Sequence, residues 1–183
     1  MPIQVIASSY TDGAPKTANA IASILPTYVP TTLPAGYWQI GRMWRLTATG
    51  KISCVISTPG TCRFTLGMGA VAAWDSLAIP LNVVAKTDEA WWLEVLLTCR
   101  SVGSGTSATL FGQGFFLSEA NILVPLAATG PGPGGALLPF DAAPVVGTGF
   151  DSTAALAISF QHTQTQATGS ITLMQFLIEQ LTP

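Results

Sequence analysis

The chain has 183 residues, only 9% of which are charged, and its formal net charge is −2. Soluble globular domains carry about 25% charged residues, so the surface of this protein must be rich in small and uncharged polar side chains. No apolar stretch approaches the roughly 20 residues of a membrane-spanning helix, which excludes membrane insertion by a helix.

The seven basic residues are scattered singly along the chain. Nucleic-acid binding needs a basic patch that neutralises phosphates, so the composition argues against it. The N-terminus lacks the basic and apolar regions of a secretory signal, and we expect synthesis in a cytoplasm. A weakly charged surface is typical of a protein that is covered by copies of itself or by a larger assembly.

Residues 1–36 differ from the rest of the chain, because five prolines are spread among Ala, Thr and Ser. Proline removes a backbone donor and fixes φ, so this segment is predicted to be an extended N-terminal arm. Residues 37–183 are predicted to form one β-domain after it.

The first strand pattern of that domain runs from Trp44 to Ser57, where apolar and polar residues alternate. The alternation resumes at Cys62, after a turn-forming run of Thr, Pro and Gly at residues 58–61. The spacing predicts a β-hairpin over residues 44–69.

Three cysteines, Cys54, Cys62 and Cys99, are too few and too irregularly spaced for a zinc site or a disulfide framework. Cys54 and Cys62 could face each other across the predicted hairpin. A reducing compartment disfavours a bond between them, so we expect three small apolar residues.

Further strand patterns follow at similar spacing, separated by loops rich in Gly, Ser, Pro and Asp. They cover residues 77–84, 90–100, 108–117, 122–125, 155–163 and 170–181. The last of them also matches a helical stripe, but a closing strand agrees better with the preceding pattern. About eight strands punctuated by turns predict an all-β fold, either an antiparallel sandwich or a closed barrel.

Few residues are suited to catalysis. The single histidine, His162, shares its strand face with apolar residues and is expected to be a packing residue. No nucleophile elbow, zinc-protease motif, phosphate loop or calcium loop occurs, so we expect no enzyme activity, metal or cofactor. Paired carboxylates for glycoside hydrolysis stay possible among eight acidic residues: Asp75, Asp88, Glu89, Glu94, Glu119, Asp141, Asp151 and Glu179.

Aromatic residues are the candidates for an interface, because aromatics are enriched in protein interfaces and also line sugar-binding sites. Trp91 and Trp92 are adjacent in a predicted strand and must point to opposite faces. One of them should pack in the core, and the other should meet a neighbouring subunit. The candidate interface residues are Tyr28, Tyr37, Trp38, Trp74, Trp91 and Trp92.

Five motifs of this chain lie at residues 91–100, 103–106, 110–114, 146–155 and 170–175. They resemble motifs of small virion proteins of tailed bacteriophages. The resemblance covers most of residues 37–181. It implies a jelly-roll-like β-sandwich that assembles as a homo-oligomer, commonly a trimer, on the head or tail of a virion.

The sequence therefore favours a virion structural protein, in the first place a capsid decoration or cement protein. Its partners would be identical copies and other virion proteins such as the major capsid protein, and the arm would reach a neighbour. The alternative is a tail or appendage protein that binds a host surface glycan through an exposed Trp and loop carboxylates. Head or tail location and the oligomer number stay open at this point.

Overall fold

The computed structural model of the chain describes residues 4–17, 19–29, 32–55, 60–121, 134–166 and 169–182. Within these ranges the protein is all-β, with twelve strands in two antiparallel sheets that pack against each other as a sandwich. No helix in the described ranges is long and apolar enough to cross a membrane.

The first sheet has the strand order β1-β12-β4-β8-β9-β10, and the second has β2-β11-β5-β6, with β3 also paired to β11 and β7 to β5. The strands are β1 (Gln4–Ser8), β2 (Ala22–Ser23), β3 (Thr32–Leu33), β4 (Met43–Cys54), β5 (Thr61–Met68), β6 (Val71–Asp75), β7 (Ile79–Pro80), β8 (Lys86–Ser101), β9 (Thr109–Ser118), β10 (Gly134–Leu138), β11 (Leu156–Gln164) and β12 (Ser170–Gln180).

The core lies between the inner faces of the two sheets. Phe64 of β5 contacts Trp91 of β8 and Phe116 of β9, with ring centroids 5.4 and 5.3 Å apart. It also stacks on Phe160 of β11 in its own sheet, at 5.8 Å. Each such aromatic pair contributes roughly 0.5–1.5 kcal/mol beyond area burial, so this cluster is a principal link between the sheets.

The hairpin predicted over residues 44–69 is wrong. β4 lies in the first sheet between β12 and β8, whereas β5 lies in the second sheet between β11 and β6. The chain changes sheets between the two strands, because alternation indicates a strand and its buried face but not its partner. Cys54 and Cys62 are both buried and free.

Most of the later predicted strands are confirmed. β8, β9, β11 and β12 coincide with the predicted segments within a few residues, and the closing segment is a strand. The segment predicted at 77–84 is reduced to the two-residue β7. The segment predicted at 122–125 lies outside the described residues.

The described part of the N-terminal segment contributes three short strands and lies against its own sandwich. β1 pairs with β12, and β2 and β3 pair with β11. Ile24, Val29 and Leu33 are 1%, 3% and 3% exposed and belong to the core. Removal of residues 1–36 would therefore take away core side chains together with an edge strand.

Replacing Ile24 tests this packing. Ile24→Ala should lower the free energy of unfolding by about 2–4 kcal/mol, because it leaves a cavity in the core. The matched control is Ile21→Ala, since Ile21 is 56% exposed, and it should cost less than about 0.5 kcal/mol. Urea unfolding measures both, and equal losses would contradict the packing of residues 19–29.

Candidate functional site

Three of the predicted interface residues are buried in the chain's own core. Trp38, Trp74 and Trp91 are only 2–3% exposed. Trp38 packs on Trp44, with ring centroids 4.4 Å apart, and the indole N–H of Trp74 donates to the carbonyl of Gly112 at 3.3 Å. Their side chains are covered by the chain itself, which leaves them little surface to offer a partner.

The two tyrosines among the predicted interface residues, Tyr28 and Tyr37, form hydrogen bonds within the chain. The hydroxyl of Tyr37 donates to Oε1 of Gln180 at 2.5 Å and accepts from Nε1 of Trp44 at 2.9 Å. Burial is the main cause that raises the pKa of Tyr37 above its ordinary value. The hydroxyl of Tyr28 accepts hydrogen bonds from the backbone N–H groups of Tyr10 and Thr11, at 2.6 and 2.7 Å.

Trp92 is the exposed member of the predicted group. Its neighbour Trp91 is 2% exposed and faces the core, whereas Trp92 is 46% exposed on the outer face of the first sheet. The expectation that the pair splits between the two faces is confirmed. Whether Trp92 meets another molecule stays a prediction.

A groove surrounds Trp92 on this outer face. It has a volume of about 570 Å³, and its lining includes Asp12, Thr49, Trp92, Leu117, Met174 and Gln175, together with part of the otherwise buried Trp91. We call it the Trp92 groove. A smaller groove of about 300 Å³ adjoins it and shares Thr49, Trp92 and Gln175.

The wall that carries Asp12 is a short loop of the N-terminal segment. The backbone N–H groups of Ser9 and Gly13 donate to the carbonyls of Phe176 and Leu173 in β12, at 2.9 and 2.7 Å. Residues 10–12 between these two hydrogen bonds form an exposed loop. A register shift in β12 between Leu173 and Gln175 lies opposite this loop. The Tyr28 hydroxyl holds the loop through its two backbone hydrogen bonds.

The polar groups of the Trp92 groove are uncharged except for one carboxylate. The hydroxyl of Thr49 donates to Oε1 of Gln175 at 3.3 Å. Asp12 is exposed, and the described part of the chain offers it no ion pair. Neither groove has a Lys or Arg among its described lining residues. Glycoside hydrolysis requires two carboxylates at the scissile bond, and the described lining residues of each groove include fewer than two.

An apolar patch lies beside the groove on the same outer face. The register pairs Phe115 with Leu137, and an isolated bridge pairs Phe111 with Val146, so these four side chains share one face with Leu96. Leu137 is 82% exposed, Val146 47% and Leu96 44%. We call these five residues the apolar patch.

Charged residues stand at the border of the apolar patch. Glu94 is the register partner of Phe115, and the Arg100 guanidinium lies 4.7 Å from the ring centre of Phe111. Both belong to β8 and are six positions apart, so they lie at opposite ends of the patch, about 20 Å from each other along the strand.

The other acidic candidates are separated over the molecule. Asp75, Asp88, Glu119 and Glu179 form ion pairs with four different basic residues, respectively Arg63, Lys51, Lys86 and Arg45. Among the residues that the structure describes, no group of three or more His, Cys, Asp or Glu is placed to hold a metal ion.

His162 packs in the core, as predicted from its strand face. Its ring lies 5.2 Å from that of Phe64, and it is 3% exposed. Within the described part of the chain Nε2 has no hydrogen-bond partner. Burial lowers the pKa of His162 to about 4.

Burial has the opposite effect on the pKa of the Cys62 thiol and raises it to about 12. Cys62 is therefore a poor nucleophile.

The burial of His162 predicts a specific pH dependence of stability. Its pKa is about 4 in the folded protein and near 6.5 in a model peptide, so the unfolded chain takes up the proton first as the pH falls. The histidine's contribution is complete above about pH 6.5, and about 3 kcal/mol is lost as the pH falls to about 4. In His162→Phe this part of the loss should disappear, as measured by urea unfolding at pH 7 and pH 4.5. The carboxylates titrate in both proteins, and an identical pH dependence of the two would contradict the assignment.

Trp92 should dominate collisional quenching of fluorescence. Four tryptophans are 0–3% exposed, whereas Trp92 is 46% exposed. Iodide, which stays in water, should therefore quench the emission of the wild-type protein and have little effect on Trp92→Phe. Strong iodide quenching that persists in the folded variant would contradict the burial of the other four.

No protein-family model, curated protein or solved structure matches this chain. The resemblance to bacteriophage virion proteins therefore stays a prediction, and the function is inferred from the residues and their geometry.

Proposed function

We propose that this protein is a virion structural protein, in the first place a capsid decoration protein, that assembles with identical copies through the apolar patch. The observation that carries the proposal is the exposure of Leu96, Leu137 and Val146 on one face of the first sheet, where only Gln113 of β9 interrupts the apolar residues. Outer faces of antiparallel sheets are ordinarily polar where they meet water. Exposed apolar residues clustered on such a face are a mark of an interaction surface.

The contact would be stabilised mainly by the burial of apolar surface. Burial of apolar surface contributes about 25 cal/mol per Å², and a stable interface takes about 800 Å² from each partner. The patch alone is smaller than that, so the weakly charged surface around it would complete the contact. Because such a contact depends little on charge, it should persist at salt concentrations that screen ion pairs.

The charges at the border of the patch favour contact between two like patches. Glu94 stands at one end and Arg100 at the other. If a second copy packs patch to patch about a two-fold axis perpendicular to the strands, its β8 runs in the opposite direction, and each Glu94 meets the partner's end that carries Arg100. The resemblance implies a trimer, whereas this arrangement favours two-fold contacts, and the mass in solution distinguishes them.

The first experiment measures the mass of the purified protein by light scattering. Leu137→Asp should shift the assembly toward single chains, because it places a charge in the contact without a partner. Val83→Asp is the matched control, since Val83 is 53% exposed and lies in the loop before β8; it should leave the mass unchanged. A wild-type protein that is a single chain at micromolar concentration would overturn assembly through this patch.

A charge exchange tests the orientation of the contact. Arg100→Glu should weaken assembly through like-charge repulsion, and the double variant Arg100→Glu with Glu94→Arg should restore it. The absence of restoration would contradict the two-fold arrangement. Co-sedimentation of the protein with DNA-free capsids of the same phage tests the virion role itself, and failure to sediment with them would contradict decoration of the head.

A further inference from the structure

We infer that the Trp92 groove is a binding site for an uncharged oligosaccharide. The inference goes beyond the proposed assembly role and does not depend on it. It is carried by one exposed aromatic ring and a rim of uncharged polar side chains in an open groove.

Trp92 supplies the apolar surface that a sugar ring needs. A pyranose has a face of C–H bonds, and an indole offers a large, rigid apolar plane at small entropic cost. No ring of another aromatic residue packs on Trp92 in the described part of the chain. Its cross-strand neighbours, Thr49 and Leu117, are smaller than the indole and lie beside it.

The rim supplies the hydrogen bonds that sugar hydroxyls require. A hydroxyl both donates and accepts, and the Thr49 hydroxyl and the Gln175 amide do the same. The single hydrogen bond between them, at 3.3 Å, leaves the amide nitrogen of Gln175 without a partner in the described residues. The Asp12 carboxylate adds acceptors from the loop beside β12. Pockets that bind small molecules combine an apolar lining with a few placed polar groups in this way.

The charge of the groove selects against anionic ligands. Its lining has one carboxylate, Asp12, and no described Lys or Arg. A phosphate, a sulfated glycan or a sialic acid would meet a like charge without a cation to bind it. An uncharged glycan avoids this repulsion, and its hydroxyls can donate to the carboxylate.

The shape of the site fits a chain of sugars better than one compact molecule. The main groove of about 570 Å³ and the adjoining groove of about 300 Å³ meet at Thr49, Trp92 and Gln175. Trp92 thus lies where the two grooves join, and a central ring stacked on it could extend into both. The hydrogen bonds of the Tyr28 hydroxyl fix the Asp12 loop before a ligand arrives, which lowers the ordering cost of binding.

The site is compatible with assembly through the apolar patch. The groove lies toward β12 and β4, whereas the patch lies toward β9 and β10 on the same sheet. Glycan binding and assembly can therefore be measured separately with different substitutions.

The test uses the full chain and four named trisaccharides, namely maltotriose, mannotriose, chitotriose and 3′-sialyllactose. Binding is measured by saturation-transfer NMR and by the shift of tryptophan emission, which reports on Trp92. At least one neutral trisaccharide should bind with a Kd below about 10 mM, a range of weak affinity that both methods reach. 3′-Sialyllactose should bind at least about tenfold more weakly than that ligand.

Variants locate the site and separate it from assembly. Trp92→Ala should weaken binding by about tenfold or more, and Gln175→Ala by about threefold or more. Val83→Ala is the control outside both the groove and the apolar patch, and it should bind as the wild type does. Circular dichroism and the unfolding midpoint verify that Trp92→Ala is folded, and Trp92→Phe, which keeps a ring, should retain part of the affinity.

Three outcomes would overturn the inference: no binding of any neutral trisaccharide, equal binding by Trp92→Ala, or preference for the sialylated ligand. Each is distinguishable from failure of the assembly proposal, because light scattering of the same samples reports the oligomer independently. A single-chain protein that binds a neutral glycan would uphold this site and overturn only the assembly.

Discussion

The packing of the two sheets around Phe64 is the constraint on which the outer surface depends. Phe64 fixes Trp91 and Phe116 in the core at 5.4 and 5.3 Å between ring centres. Because side chains of a strand alternate between faces, a buried Trp91 places Trp92 outside. A shift of β8 by one residue would exchange the two tryptophans, and would turn Leu93, Val95 and Leu97 toward water. The position of the candidate site is thus a consequence of the core.

One face of the first sheet offers two surfaces of different character. Toward β9 and β10 it is apolar at Leu96 and Leu137, and toward β12 it is concave and polar around Thr49 and Gln175. The first surface suits contact with a like surface, and the second suits hydroxyl groups. A low content of charged residues favours both, since neither a sugar nor an apolar neighbour compensates the desolvation of a charge.

Alternation along the chain was enough to predict the longer strands and the division of Trp91 and Trp92 between two faces. It could not predict partners, so β4 and β5 were joined in a hairpin that the sandwich separates. The prolines of the first 36 residues indicated an exposed arm, although Ile24 and Leu33 are buried there against β11, more than a hundred residues away. The groove could not be read from the sequence for the same reason: Asp12, Thr49, Trp92 and Gln175 meet only through the strand order of the sheet.

The pairing of β1 with β12 determines how the molecule responds to tension. Gln4 lies opposite Gln180, and the two strands are antiparallel, so a load applied at these two residues pulls from one end of the ladder. The hydrogen bonds then break in succession and not together, and such unzipping resists little force. After the hydrogen bonds of β1, those of Ser9 and Gly13 would break next, and the loop that carries Asp12 would detach while the aromatic core is still packed. Mechanical strain would thereby open one wall of the Trp92 groove before the sandwich itself unfolds.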